Sequence, residues 1–214
     1  MYKKLIVYLF LTSVFLAPKN LEARGYSSSH WYMSLSMGKE TMNNEDSSFL
    51  NLESSYTAGL SLGHAFCLNH YSNGFNVYLD WTILDLRFSD YSKDYMAKYG
   101  AGKTYLYNFD VGTFVGPRVR IGSSRYWNVN VFAKYAPTFY NLTNGQLKQY
   151  DMGFAHQIAT GADICYHKVA LGVEFRKLYM DCDLVLKDDY ANTEEYSTSI
   201  TKTQRLNFFL RLTF

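Results

Sequence analysis

From His30 onward the chain alternates apolar with polar or small residues, the period of two that marks a strand with unlike faces. In residues 30–39, Trp31, Met33, Leu35 and Met37 share one parity, and Tyr32, Ser34, Ser36 and Gly38 share the other. Residues 54–67 set Tyr56, Ala58, Leu60, Leu62, His64 and Phe66 against the small Thr57, Gly59, Ser61, Gly63 and Ala65. The alternation returns from Phe75 to Ile83, then over 104–121, 127–139, 151–166, 169–179 and 205–214, which predicts eight strands. Near Asp85 the parity becomes uncertain, and a β-bulge there would restore it.

Polar, aperiodic stretches at 40–53, 89–103, 141–150 and 181–200 read as long loops, whereas 68–74, 122–125 and 167–168 read as short turns. Connections therefore run long, short, long, short, long, short, long. An even set of antiparallel strands with this alternation closes into an up-and-down barrel, which leaves no sheet edge exposed.

The last strand carries the pattern to Phe214. Leu206, Phe208, Leu210, Leu212 and Phe214 oppose Arg205, Asn207, Arg211 and Thr213, and Phe209 is the one apolar residue on the polar face. A final Phe preceded by apolar residues at every second position resembles the assembly signal of bacterial outer-membrane β-barrels. Residues 24–214 together resemble the small OmpA/OmpX-like eight-stranded barrels. The resemblance implies an all-β, eight-stranded antiparallel transmembrane β-barrel in the bacterial outer membrane. It also implies partners: the barrel-assembly machinery, outer-membrane lipid and lipopolysaccharide. With Phe214 at the periplasmic rim, every long loop faces outward.

The N-terminus adds an export route. Lys3 and Lys4 precede an apolar run from Leu5 to Ala17, and Ala23 offers a small residue for cleavage, so 1–23 reads as a signal peptide. Pro18-Lys19-Asn20 ends the run short of the roughly 20 residues that a membrane-spanning helix needs. The chain has 20 Tyr, 15 Phe and 3 Trp with a mean hydropathy of −0.21. That pairing suits strands with one lipid face and two aromatic girdles. A formal charge of +2, without a basic tract, gives no footing for nucleic acid. Cys67, Cys165 and Cys182 imply neither a disulfide framework nor a zinc site, and no cofactor or metal is expected.

Parity sends Asp80, Asp110, Asp163 and Glu174 into the lumen with Arg118, Arg120, Lys134, Arg176, Arg205 and Arg211. Such charges could gate a narrow channel or pair off into a plug; the width of eight strands and the cost of a lone buried ion favour the plug. His70-Tyr71-Ser72-Asn73 resembles the His-x-Ser-Asn element of PagL-type lipid A deacylases, which implies a histidine-activated serine. The topology places it at the periplasmic rim, where Asn73-Gly74 also reads as turn chemistry. His64 and His156 fall on the outward parity and read as interfacial residues. The acidic last loop, with Asp181, Asp183, Asp188, Asp189, Glu194 and Glu195, suits an extracellular ligand or neighbour. The expectation is a structural or surface-interaction protein, with a PagL-type deacylase using His70 and Ser72, or a narrow channel, as alternatives.

Overall fold

The computed structural model describes residues 29–43, 51–70, 74–99, 105–122, 126–145, 149–187 and 195–214. The expected signal peptide, Ser72, Asp188, Asp189 and Glu194 lie outside these residues. The strands are β1 (His30–Asn43), β2 (Asn51–Glu53), β3 (Tyr56–His70), β4 (Phe75–Asp90), β5 (Leu106–Ile121), β6 (Trp127–Asn144), β7 (Gln149–Tyr166), β8 (Val169–Lys187) and β9 (Glu195–Thr213). One helix, α1 (Ser92–Tyr99), lies between β4 and β5.

Each long strand pairs antiparallel with the next, and β1 pairs with β9 from Tyr32↔Thr213 to Asn43↔Lys202, which closes the sheet. The result is a barrel of eight staves. One stave is interrupted: β2 pairs with β1 at residues 41–43, and β3 pairs with it from Gly38 downward. Ser54 and Ser55 bridge the gap, as Ser54 N–H donates to Glu40 O at 2.8 Å and Ser55 N–H to Asp90 O at 2.7 Å.

Solvent exposure follows the sequence parity through most staves. Trp31 and Met37 face out while Tyr32, Ser34 and Ser36 are buried, and β6 alternates without a break from Trp127 to Phe139. The bulge lies on β4, two residues before Asp85. Leu62 pairs with Leu84 but Gly63 with Thr82, so Ile83 is the extra residue. Before it the buried positions are even (Asn76, Tyr78, Asp80, Thr82); after it they are odd (Asp85, Arg87, Ser89). One residue therefore turns a second charged pair inward.

The expected long loops are shorter than the sequence suggests. Strand β1 continues through residues 40–43, and β2 folds back onto it, because Glu40, Met42 and Leu52 are all fully buried. Residues 89–103 contain α1, β6 and β7 reach Asn144 and Gln149, and β8 and β9 extend to Lys187 and from Glu195. Asp181, Asp183 and Glu195 are thus strand positions. Above the belt neither strand face meets lipid, so apolar alternation no longer reports a strand.

Candidate functional site: a charged lumen under an apolar cap

The barrel interior is filled by side chains in layers, named here from the short-turn end upward. In the lowest, Arg211 Nη1 lies 2.6 Å from Asp163 Oδ2, and Asn130 Nδ2 donates to Asp163 Oδ1 at 2.5 Å. Arg120 Nε reaches Asn130 Oδ1 at 3.3 Å, with its guanidinium 4.9 Å from the Tyr78 ring.

Above it, Asp80 pairs with Arg118 and with Lys134 Nζ at 2.9 Å, and its Oδ1 accepts a hydrogen bond from the Tyr32 hydroxyl at 2.5 Å. Arg118, Lys134 and Arg211 stand 5.0–5.3 Å from the Tyr32 ring centre, so one buried aromatic ring serves three cations. Phe209 belongs to this layer. It is 6 % exposed, 6.0 Å from the Phe132 ring and 4.9 Å from the Arg211 guanidinium, which explains an apolar residue on the polar face of β9.

The central layer is the most tightly paired. Arg176 contacts Asp85 through Nη1 at 2.6 Å and Nη2 at 3.1 Å, and Glu174 through Nε at 2.5 Å. Arg87 meets Asp85 and Glu174, each at 3.2 Å, and also bonds Ser36. Ser61 Oγ donates to Asp85 at 2.5 Å, and Phe114 lies 4.5 Å from the Arg176 guanidinium. Beside this layer is a cavity of about 10 Å³, room for one water.

In the upper layer Arg205 joins two strands' acids: Glu40 Oε1 at 2.7 Å and Asp110. Thr203 Oγ1 donates to Glu40 at 2.5 Å. Over this sits an apolar cluster that includes Met42, Leu52, Tyr91, Tyr95, Leu106, Tyr140, Leu142, Leu178 and Met180, none more than 5 % exposed. Helix α1 contributes Tyr95, four residues beyond Tyr91, from its inner face. The first turn is tied down twice, as Ser92 N–H donates to Asp90 Oδ1 at 2.9 Å and Asp94 Oδ2 accepts Glu53 N–H at 2.8 Å, and in the last turn Lys98 Nζ donates to Asn51 O. Asp94 and Lys98 pair at 2.9 Å along its outer side.

The six charged residues selected from sequence, Asp80, Lys134, Glu174, Arg176, Arg205 and Arg211, all lie in the lumen, but in four layers rather than one network. Sequence parity missed Glu40, hidden in a polar stretch, and Asp85 and Arg87, hidden by the bulge. Pairing Asp85 and Arg87 at i, i+2 would have exposed them once the parity was shifted by one.

Outside, Phe208 and Phe214 are exposed, while Leu210 and Leu212 are half-buried on the same face. Phe214 exchanges two backbone hydrogen bonds with Trp31, at 3.0 and 3.2 Å, at the closing seam. His70 is the last residue of β3, at the short-turn end. His64 packs on the exterior between Trp31 and Phe66, with ring centres at 4.9 and 4.3 Å. His156, also exterior, holds the Tyr135 hydroxyl 2.5 Å from Nδ1. Neither Cys67 nor Cys165 is in a disulfide. Among the described residues no group of His, Cys, Asp and Glu has metal-binding geometry.

No protein-family model and no curated protein sequence matches the chain. Among solved structures it is similar to Neisserial surface protein A, at 12 % identity over 86 % of this chain and 97 % of that one, with a TM-score of 0.50. It is also similar to Ail, the attachment invasion locus protein of Yersinia pestis, at 10 % identity over 87 % and 99 %, with a TM-score of 0.44. The outer membrane enzyme PagL aligns at 9 % identity over 85 % and 98 %, with a TM-score of 0.45. The fold is that of small OmpA/OmpX-like outer-membrane barrels. A closed barrel with an apolar exterior and a charged interior is the form in which strands cross the bacterial outer membrane.

Proposed function

We propose that this chain is a non-conducting outer-membrane barrel with a structural or surface-interaction role, performed by the long-loop end that projects from the membrane. The observation that supports this reading is the filled lumen. Paired charges occupy every level, the internal cavity admits about one water, and an apolar cluster closes the outer mouth. An ion crossing such a barrel would have to break several buried ion pairs, at several kcal/mol each on the usual scale. The extended β8–β9 hairpin and the α1 cap give the outer end a built surface that could meet a ligand or neighbour.

The hydrolase reading has less support. It requires His70 at the short-turn end, opposite the cap, where a hydrolase of surface glycolipid would not meet its substrate. Two measurements test the proposal. Folded and boiled protein from an outer-membrane fraction should migrate differently on a gel, and the folded protein should give no stable conductance steps in a planar bilayer. Steady single-channel currents would overturn the non-conducting reading. Altered acylation of lipid A that Ser72→Ala abolishes would restore the enzyme.

A further inference from the structure

We propose that the lumen holds one monatomic anion, a halide such as chloride, in the cavity between the Asp80 layer and the central layer, bound by Arg211 and Ser34. The lining of that cavity includes the cations Arg87, Lys134, Arg176 and Arg211 but one carboxylate, Glu174. Within the central layer the charges balance, since Arg87 and Arg176 share Asp85 and Glu174. The surplus comes from below. There Asp163 offsets Arg211, but Asp80 alone offsets both Arg118 and Lys134. Beyond the central layer Arg205 has two carboxylates to itself, so the positive excess is confined to the lower half of the lumen. A buried charge left unbalanced costs several kcal/mol or so, which draws a small anion to this point.

Donors remain for the ion. Arg211 gives Nη1 to Asp163, while its buried Nε meets no acceptor among the described residues. Ser34 stands directly opposite Arg211 in the β1–β9 register, which sets their Cβ atoms about 4.5–5.5 Å apart. It lines the same cavity, and its hydroxyl has no partner among the described residues. The neighbouring hydroxyls are already committed, Ser61 to Asp85 and Tyr32 to Asp80. Lys134 directs its ammonium to Asp80, Tyr32 and Thr82, at 2.9, 3.1 and 3.0 Å, and so supplies charge rather than a contact. The volume decides the class of ligand. About 10 Å³ is room for a particle of roughly a water's size, which excludes phosphate, sulfate and carboxylates. A water would fit equally well but would leave the surplus charge in place.

Crystals of the folded full chain grown with bromide in place of chloride test the site, because bromine scatters anomalously and water does not. One anomalous peak is expected in the cavity, beside Arg211 and Ser34; a water only would overturn the site. Urea unfolding in lipid vesicles, with chloride replacing gluconate at constant ionic strength, gives a second readout. Above half-saturation, one site raises the folding constant about tenfold for each tenfold rise in chloride. Equal stability in the two salts would overturn the proposal. Lys134→Met should lose both the peak and the chloride dependence. Ser34→Ala, which leaves every ion pair in place, should stay folded by heat-dependent mobility and need about tenfold more chloride. Lys177→Gln, on the outer wall, should behave as wild type. Undiminished bromide in Ser34→Ala and Lys134→Met, or chloride dependence lost equally in Lys177→Gln, would each sink the assignment.

Discussion

Arg176 grips Asp85 with both terminal nitrogens, Nη1 2.6 Å from one carboxylate oxygen and Nη2 3.1 Å from the other, across 91 positions of sequence. Parallel double contacts of this kind fix direction as well as distance. Because Arg87 also leans on Asp85, removing the carboxylate leaves two guanidinium groups competing for Glu174. Asp85→Ala should destabilise the folded barrel by about 3–5 kcal/mol, the cost of an uncompensated buried charge. Urea titration of protein refolded into lipid vesicles measures it, and a loss below about 1 kcal/mol would show that the layer is hydrated rather than tightly paired.

The bulge at Ile83 sets which residues join that layer. Deleting Ile83 makes the pairing of β4 with β3 continuous, Leu62 with Leu84 and Gly63 with Thr82 as consecutive steps, and keeps both the Asp80 and the Asp85 segments on the lumen face. Such a variant should therefore retain heat-dependent mobility, as should Ile83→Ala, which keeps the extra residue. Loss of that mobility in the deletion alone would show that barrel closure needs the bulge itself rather than only the inward face it sets.

The closing seam has its own tight point. A Cβ on Gly38 would run into Leu206 O and come within 2.8 Å of Asn207 Cα, both backbone atoms of β9. Gly38→Val should therefore weaken β1–β9 pairing specifically. Faster amide exchange at residues 32–43 and 202–213, with the β6–β7 pair unchanged, is the expected signature.

On the lipid face, depth should decide the cost. Phe208, 64 % exposed and five residues from the end of β9, lies near the middle of the band. Phe208→Arg should cost about 2–4 kcal/mol, and Leu210→Arg, nearer the rim, less. The reverse order would place the membrane lower on the barrel.

Removing α1 should not open a pore. Replacing residues 92–99 with a short flexible linker uncovers Met42, Leu52 and Leu106, yet the ion layers beneath still fill the lumen. Planar-bilayer recordings should remain silent. Conductance on loss of the helix would locate the seal in the cap alone.

The membrane-embedded part of the fold was legible because lipid demands apolar residues on one parity and a narrow lumen demands polar or small ones on the other. Trp127 to Phe139 is the clearest example, and even Phe209 became intelligible once Phe132 was placed opposite. Legibility failed where that contrast disappears. Glu40 looked like loop because its neighbours are polar, although Arg205 and Thr203 bury it. Helix α1 left little signal because it offers the cap chiefly Tyr95, with Tyr91 just ahead of it, from an otherwise polar segment. Asp85 and Arg87 were visible as charges, but one inserted residue reversed the side on which they stand.

The pairing of β1 with β9 has a kinetic consequence. Tyr32 pairs with Thr213, so shutting the barrel joins the segments most distant in sequence among the described strands. Loop-closure entropy makes such a step slow. Until it is complete, the growing sheet has two unsatisfied edges, each able to recruit another chain. The barrel that is least prone to aggregation when shut is thus most exposed to it just before closure, and folding of this chain should be limited by how long those edges are held apart from others.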